Sequence, residues 1–437
     1  MPTNTVDQSR LVLNAFAAYF QNNLVAADIA TWNQFSGEMN DRNQLQVSQQ
    51  TGPSYVVTQS TSGVQDLSSG VQNSVFGSET FTVKDVFGVS MGWSDFTAIR
   101  DMGDARRSEA LKRAAVKLAE TIDGVILKKA QLAANNEVGT VGNNVATFAD
   151  VATAYTRFKK EGVDDSDLRM VLTYDDLQAL GTTVVGFTAT DQLSTSTFRN
   201  GFTGSVNGIP TMYTQQLSNL TPGTRAASGA ALINGASQNV NYKDVCISTT
   251  NGQYMTQTIN IDTLTAGHTV KDGEIFTIAG VNAYDNRLHQ AQSHLQQFRV
   301  VGDYTADGGG AIANMRIFPA IIIDDGSSIT GDAAANRAHA TVSAAPADNA
   351  AITWRGTAST AYKPRVMLNK NAIICNTVDL IMPATGQASR VSLTKVPLSV
   401  RMWKDSTFST GDHRVRFDVA ITANVQERRN AVRLNGS

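Results

Sequence analysis

Apolar residues recur at three- and four-residue steps through 104–135, at Leu111, Ala115, Leu118, Ile122, Val125 and Ile126. That spacing predicts one long amphipathic helix. Gly103 stops the preceding segment, Asp104 offers an N-cap oxygen, and Asn135-Asn136 mark the exit. The remaining faces carry Arg106, Arg107, Lys112, Arg113, Lys117, Glu120, Lys128 and Lys129. Glu109 can reach Lys112 and Arg113 one turn on, each contact contributing a few tenths of a kcal/mol. Gly124 is the one poor helix former inside, costing about 1 kcal/mol against alanine. At its full extent the helix would be roughly 48 Å long, which suits a strut across a flat molecule. The plainer alternative is a core helix with a solvated back.

Upstream, residues 8–30 predict a second amphipathic helix, with Leu11, Val12, Ala15, Phe16, Tyr19 and Phe20 on one side, followed by Leu24 and Val25. Such an apolar helix needs a surface to lie against, either its own domain or a neighbouring subunit. Residues 43–78 hold one charge, Asp66, among Gln, Ser, Thr and Val. Alternation in PSYVVTQST and VQNSVF on either side of a Gly-rich centre predicts two strands of a long hairpin. An isolated two-stranded ribbon is marginal in water, so another molecule should cover it, disorder being the other reading. TFTVKDVFGVSMGW, Thr80 to Trp93, alternates as a half-buried strand.

Past the long helix, Thr147 can cap a shorter helix whose apolar face reads Phe148, Val151, Ala152, Tyr155 and Phe158, with Gly162 ending it. LRMVLTYDDLQALG predicts a buried strand, a turn and a helix beginning near Asp175. Gly208-Ile209-Pro210 then leads into the strand-like TMYTQQL. From Leu220 to about Tyr362 the pattern is nearly all β: MTQTINIDTL alternates, and VKDGEIFTIAGVNAY turns at Asp272-Gly273. Such short, closely spaced strands predict a small barrel or sandwich. Gly308-Gly309-Gly310 and the Ala/Gly/Ser-rich tract from Gly326 to Thr360 read as loops and a return linker. Mixed strands resume from Lys363, so the all-β block is inserted into an α+β domain whose halves flank it.

Composition narrows the function. At 437 residues the chain can hold two or three domains, and only 17% of it is charged, with a formal net charge of −2. That balance gives no electrostatic case for tight nucleic-acid binding. Cys246 and Cys375 lie far apart in sequence and read as buried thiols in a reducing cytoplasm. The N-terminal stretch lacks the pattern of a signal peptide, and no apolar run approaches the ~20 residues that span a bilayer. His268, His289, His294, His339 and His413 share no ligand spacing, and HExxH, GxSxG and Walker patterns do not occur. Asp324-Asp325-Gly326 lacks the remaining ligands of a calcium loop. Arg428, Arg429 and Arg433 could touch phosphate, although arginines on a terminal strand are usually salt-bridged or solvated. The residues therefore predict no catalytic, cofactor-binding or metal site, and no enzyme.

The order of parts resembles the major capsid proteins of tailed double-stranded-DNA phages, the Hong Kong 97 fold. An apolar arm, a low-charge hairpin, a strand into a long helix, VLTYDDLQALG, the G-I-P-T strand start and a closing mixed sheet carry the likeness. The all-β insertion narrows the likeness: VKDGEIFTIAGVNAY, HLQQFRVVGDY and the tail VAITANVQERRNAVRL are similar to the corresponding parts of short-tailed phage coat proteins of the P-twenty-two type, which carry an inserted β-barrel. The resemblance implies an N-terminal arm (1–42), an extended loop (43–79) and a peripheral domain (80–146) with spine helix 104–135. It also implies an axial domain in two halves (147–219 and 361–437), with an inserted β-barrel (220–360) between them. By the same resemblance the chain forms hexamers and pentamers of an icosahedral virion shell, assembled in the host cytoplasm. Its further partners would be a scaffolding protein, a portal at one vertex and non-specifically held double-stranded DNA, with no cofactor and no membrane. Some capsids of this fold weld themselves through lysines on the extended loop. Here no lysine precedes Lys84, so the shell is expected to be non-covalent. The alternatives are an encapsulin-like compartment shell of the same fold and a β-rich surface adhesin.

Overall fold

The computed structural model describes residues 8–38, 44–48, 77–94, 105–163, 166–184, 205–225, 230–250, 252–285, 288–324, 331–384, 387–407 and 412–437. The chain divides into two compact units. One holds Met1–Leu45, Phe81–Lys129 and Ile373–Asn424, the other Gln46–Thr80, Ala130–Ala372 and Val425–Ser437. The predicted ribbon strands PSYVVTQST and VQNSVF, and the Asp104 cap, lie outside the described residues.

In the first unit the long helix runs from Ala105, and its full span is Ala105–Ala133. Leu111, Ala115, Leu118, Ile122 and Ile126 are buried as their spacing requires, whereas Val125 is only half-buried. Glu109 and Arg113 meet at 3.1 Å on the exposed side, one turn apart. Six strands form the sheet of this unit. Thr31–Glu38 runs parallel to Ile373–Asp379, and Asp412–Val425 pairs antiparallel with Ser399–Thr407 on one side and Val86–Ser94 on the other. Gln387–Ser392 closes the edge beyond Ser399–Thr407. Opposed residues share a face, so Val400, Met402, Val415, Phe417 and Val419 make one buried apolar surface.

The N-terminal helix, Gln8–Asn22, finds its cover within this unit. Leu13, Phe16 and Phe20 are buried, and Phe16 stacks on Phe417 with ring centroids 3.9 Å apart. Lys395 pairs with Asp28 at 3.1 Å, and the backbone N–H of Val25 donates to the buried Asp123 of the long helix at 2.9 Å. Over residues 13–29 the apolar face is therefore satisfied by the chain itself. For Leu13, Phe16 and Phe20 docking on their own unit, the plainer of the two readings, is what the structure shows.

The second unit contains a mixed sheet and a barrel. The mixed sheet orders Asn136–Val138, Ala431–Leu434, Arg365–Asn369, Leu168–Leu172, Ile209–Tyr213 and Ser205–Val206. Across it packs the helix Phe148–Lys160, opened by a capping box between Thr147 and Asp150. Val151, Ala154 and Phe158 face Met170, Leu172, Met367 and Val432 in one core, while Ala152 points to solvent. Ala154, not Ala152, thus completes the apolar face. Leu168–Leu172 runs directly into the helix Tyr174–Val184, capped by Thr173 against Asp176.

The barrel orders Ile352–Trp354, Ile275–Asp285, Gln290–Val300, Ile312–Phe318, Gln257–Asp262 and Leu232–Ile233. It closes on itself. Ile352 N donates to Ala231 O at 2.9 Å and Ile233 N to Ala350 O at 3.0 Å, joining first strand to last. Closure removes both sheet edges. Inward-facing Ile259, Ile261, Phe276, Ile278, Phe298, Met315, Ile317 and Trp354 fill the interior. The turn at Gly273 has φ 86° with Leu132 against it, so a side chain there would be strained and crowded. The tract 326–360 is more than a return linker. It holds the helix Gly331–His339 and the strand Ile352–Trp354 that completes the barrel. Three residues of strand among alanines carry too short a pattern to be read as β.

Candidate functional site

Among the described residues the histidines form no common centre. His268 precedes the short strand Thr269–Val270, and His294 lies on Gln290–Val300 with His289 just before it. His339 stacks on Tyr242 at 3.7 Å, and His413 lies on Asp412–Val425. Among the described residues no three His, Cys, Asp or Glu side chains are placed to hold a metal ion. Both cysteines are free and buried, and burial pushes their thiols above the usual range, which keeps them protonated and unreactive. Asp325 and Gly326 lie outside the described residues.

What the side chains build instead is a neck where the chain enters and leaves the barrel. Leu220 and Tyr362 exchange backbone hydrogen bonds of 2.8 and 3.0 Å, so the two crossings run side by side. Gln131, fully buried at the end of the long helix, staples them: its Nε2 donates to Ser218 O (3.0 Å) and Pro364 O (2.8 Å), and its Oε1 accepts from Ser218 N (3.1 Å). One side chain thereby satisfies backbone groups of both crossings.

A buried ion pair sits just inside the neck. Arg225 Nε lies 2.5 Å from Glu274 Oε2, with 2% and 4% of the two side chains exposed. Arg225 also donates to Arg355 O at 2.8 Å and Gly356 O at 3.1 Å, just past the strand Ile352–Trp354, and its guanidinium lies 5.2 Å from the Trp354 ring centre. Glu274 Oε1 accepts from Gly223 N (2.8 Å) and Lys271 N (2.7 Å). Burial raises the Glu274 carboxyl above its ordinary value, although Arg225 and the two N–H groups pull it down. Burial likewise lowers Arg225 against the pull of Glu274. For both groups desolvation outweighs attraction, as expected of a pair fully removed from water. A Cβ on Gly223 would collide with Thr269 O, so the entering segment passes the strand Thr269–Val270 too closely for any side chain.

Two further buried charges tie other segments. Glu79, 1% exposed, accepts from the N–H groups of Gly252 and Gln253 and attracts Arg428. It thereby fixes the strand Ser78–Thr82, whose first residues pair with Ile247–Ser248. Asp176, fully buried, accepts from Val145 N, Thr173 N, Thr173 Oγ1 and Arg365 Nε at 2.7–2.9 Å. The terminal arginines are committed to structure. Arg428 donates to Tyr254 O (2.9 Å), Arg433 to Gln131 O (2.7 Å), and Arg429 lies 3.5 Å from Glu427. Arg433 is wholly buried, which removes it from any contact with phosphate in solvent. Sequence reasoning missed Gln131, Arg225, Glu274 and Asp176, because a single polar residue at a buried junction leaves no periodic trace.

A family model for the P22 coat protein, gene protein 5, matches residues 1–436. Solved structures resemble the chain at a distance. The capsid of Ralstonia phage GP4 shares 7% identity at TM-score 0.44, covering 96% of this chain and 91% of that one. A Mycobacterium phage Che8 chain shares 8% at 0.41, covering 90% and 86%. The CUS-3 coat protein I-domain shares 26% at 0.20, covering 30% of this chain and 97% of its own. No curated protein sequence matches. The family match over nearly the whole length, rather than these likenesses, carries the assignment. The chain belongs to the P22 coat protein family and is a major capsid protein of a tailed phage.

Proposed function

We propose that this subunit tiles an icosahedral shell as hexamers and pentamers held by non-covalent contacts, around double-stranded DNA that it does not grip. Assembly takes place in the host cytoplasm with a scaffolding protein, and a portal occupies one vertex. The near-neutral net charge of −2 supports a wall that leaves the genome free to move past it. The chain carries out no chemistry of its own.

The observation that carries the reading is the stapled neck. A closed barrel with its own apolar core hangs from two adjacent crossings, at Leu220 and Tyr362, as an inserted domain spanning about 220–360 would. Such an insertion braces the shell in place of covalent links. The test is a denaturing gel of mature particles. One band near 46.7 kDa is expected, and a ladder of cross-linked multimers would overturn the non-covalent shell. Normal particles from a chain lacking 220–360 would overturn the bracing role.

A further inference from the structure

A cleft of about 420 Å³ opens in the second unit, within the size range of small-molecule sites. One wall is the end of the helix Phe148–Lys160, with Lys160 on it, and the other is the hairpin of Ile275–Asp285 and Gln290–Val300. Asn135 is in the lining and is fully buried. Its Oδ1 accepts from Asn136 Nδ2 at 3.2 Å, but its own Nδ2 reaches no acceptor. His294 Nε2, also in the lining, is likewise buried without a partner. An orphaned buried amide costs about 1–3 kcal/mol, so something with acceptor oxygens should meet it.

The electrostatics agree on the sign. Burial together with the positive charges of Arg157 and Lys160 pushes His294 down to about 4, leaving it neutral in a positive field. Arg429 lines the cleft too, but its charge is answered by Glu427 at 3.5 Å. Two carboxylates, Glu161 and Asp285, line the cleft as well; Glu161 lies 3.6 Å from Arg157, and Asp285 accepts from Leu288 N at 3.3 Å.

We propose that this cleft binds a small phosphate-bearing anion, its oxygens meeting Asn135 Nδ2, the His294 imidazole and the cation of Lys160. The volume exceeds what a bare phosphate fills. Tyr284 and Leu288 add flat and apolar surface for an organic part, as in a nucleoside monophosphate.

The test is titration calorimetry on the full chain with inorganic phosphate, deoxyadenosine monophosphate and deoxyadenosine, against sodium chloride at matched ionic strength. Saturable binding of phosphate or of the nucleotide is expected, the nucleotide binding more tightly if the organic part is held. Lys160→Gln and His294→Gln should each weaken binding about tenfold, the loss of one hydrogen bond to a charged group. Asn135→Asp should abolish it, with circular dichroism confirming the fold. No saturable heat at millimolar ligand, unchanged affinity in the Lys160 and His294 variants, or equal binding of deoxyadenosine would each overturn the site.

Discussion

Replacing Arg225 by methionine removes the guanidinium while keeping an unbranched apolar chain of similar reach. The change deletes the 2.5 Å contact to Glu274 and both bonds to the carbonyls of Arg355 and Gly356 on the exit side. It also removes the cation from the Trp354 ring. Against these losses stands relief of the arginine's own desolvation. Breaking a buried pair by deleting one partner costs about 3–5 kcal/mol, chiefly because the other charge is stranded. With side-chain exposures of 2% and 4%, solvent screening does little to reduce that figure. Adding Glu274→Gln should recover about 1–3 kcal/mol, since the amide keeps an acceptor oxygen for Gly223 and Lys271 without a charge to strand. The sign with pH follows from the raised Glu274 carboxyl. Without Arg225 it rises further, so the folded variant holds a proton that the unfolded chain has released above the ordinary value of 4.5. Stability of the single variant should therefore fall as pH rises through that window, and its deficit should shrink on acidification. Urea unfolding at several pH values, followed by tryptophan fluorescence, measures both. A loss below about 1 kcal/mol, or no recovery in the double variant, would refute the claim that this pair locks the neck.

Phe16→Ala should cost about 3–5 kcal/mol in monomer unfolding, because its ring is fully buried against Phe417; a cost near zero would mean that the helix is undocked in solution. Glu79→Ala should lose about 1–3 kcal/mol by orphaning the N–H groups of Gly252 and Gln253, whereas Glu79→Gln should be milder. Burial holds the Glu79 carboxyl above its ordinary value, so its own contribution to stability should fall as pH rises past 4.5, a component that the glutamine variant should remove from pH-dependent melts. Asp150→Ala should lose about 1–2 kcal/mol with its cap. Burial raises this carboxyl, but hydrogen bonds from Thr147, Ser437 and Ala146 outweigh it and bring it below its usual value. Its contribution is present above 3.8 and lost as pH falls through the lower value, a loss that Asp150→Asn should remove from acid-unfolding curves.

Elements with a long repeat were legible in the sequence. The helix Ala105–Ala133 announces itself through many apolar steps, and Thr147 marks the next helix because a cap is a local device. Gln257–Asp262 shows the alternation of a strand with one wet face, buried at Ile259 and Ile261 and exposed at Thr258 and Asn260. Ala154 and Ala152 stand two residues apart on opposite faces of the helix, a difference that alanine's small side chain does not reveal. Ile352–Trp354 was hidden because its pairing partners lie far away in sequence, at Ala231 and in Ile275–Asp285. The neck was hidden for a related reason. Gln131, Ser218 and Pro364 are unremarkable alone and meet only once the barrel has been inserted between them.

The central claim is that this polypeptide is the repeating tile of a shell, and electron microscopy of the purified full-length protein, alone and co-expressed with its scaffolding partner, tests it most directly. Closed shells, curved sheets or spirals are predicted. A population of small discrete oligomers or lone monomers under both conditions would contradict the account.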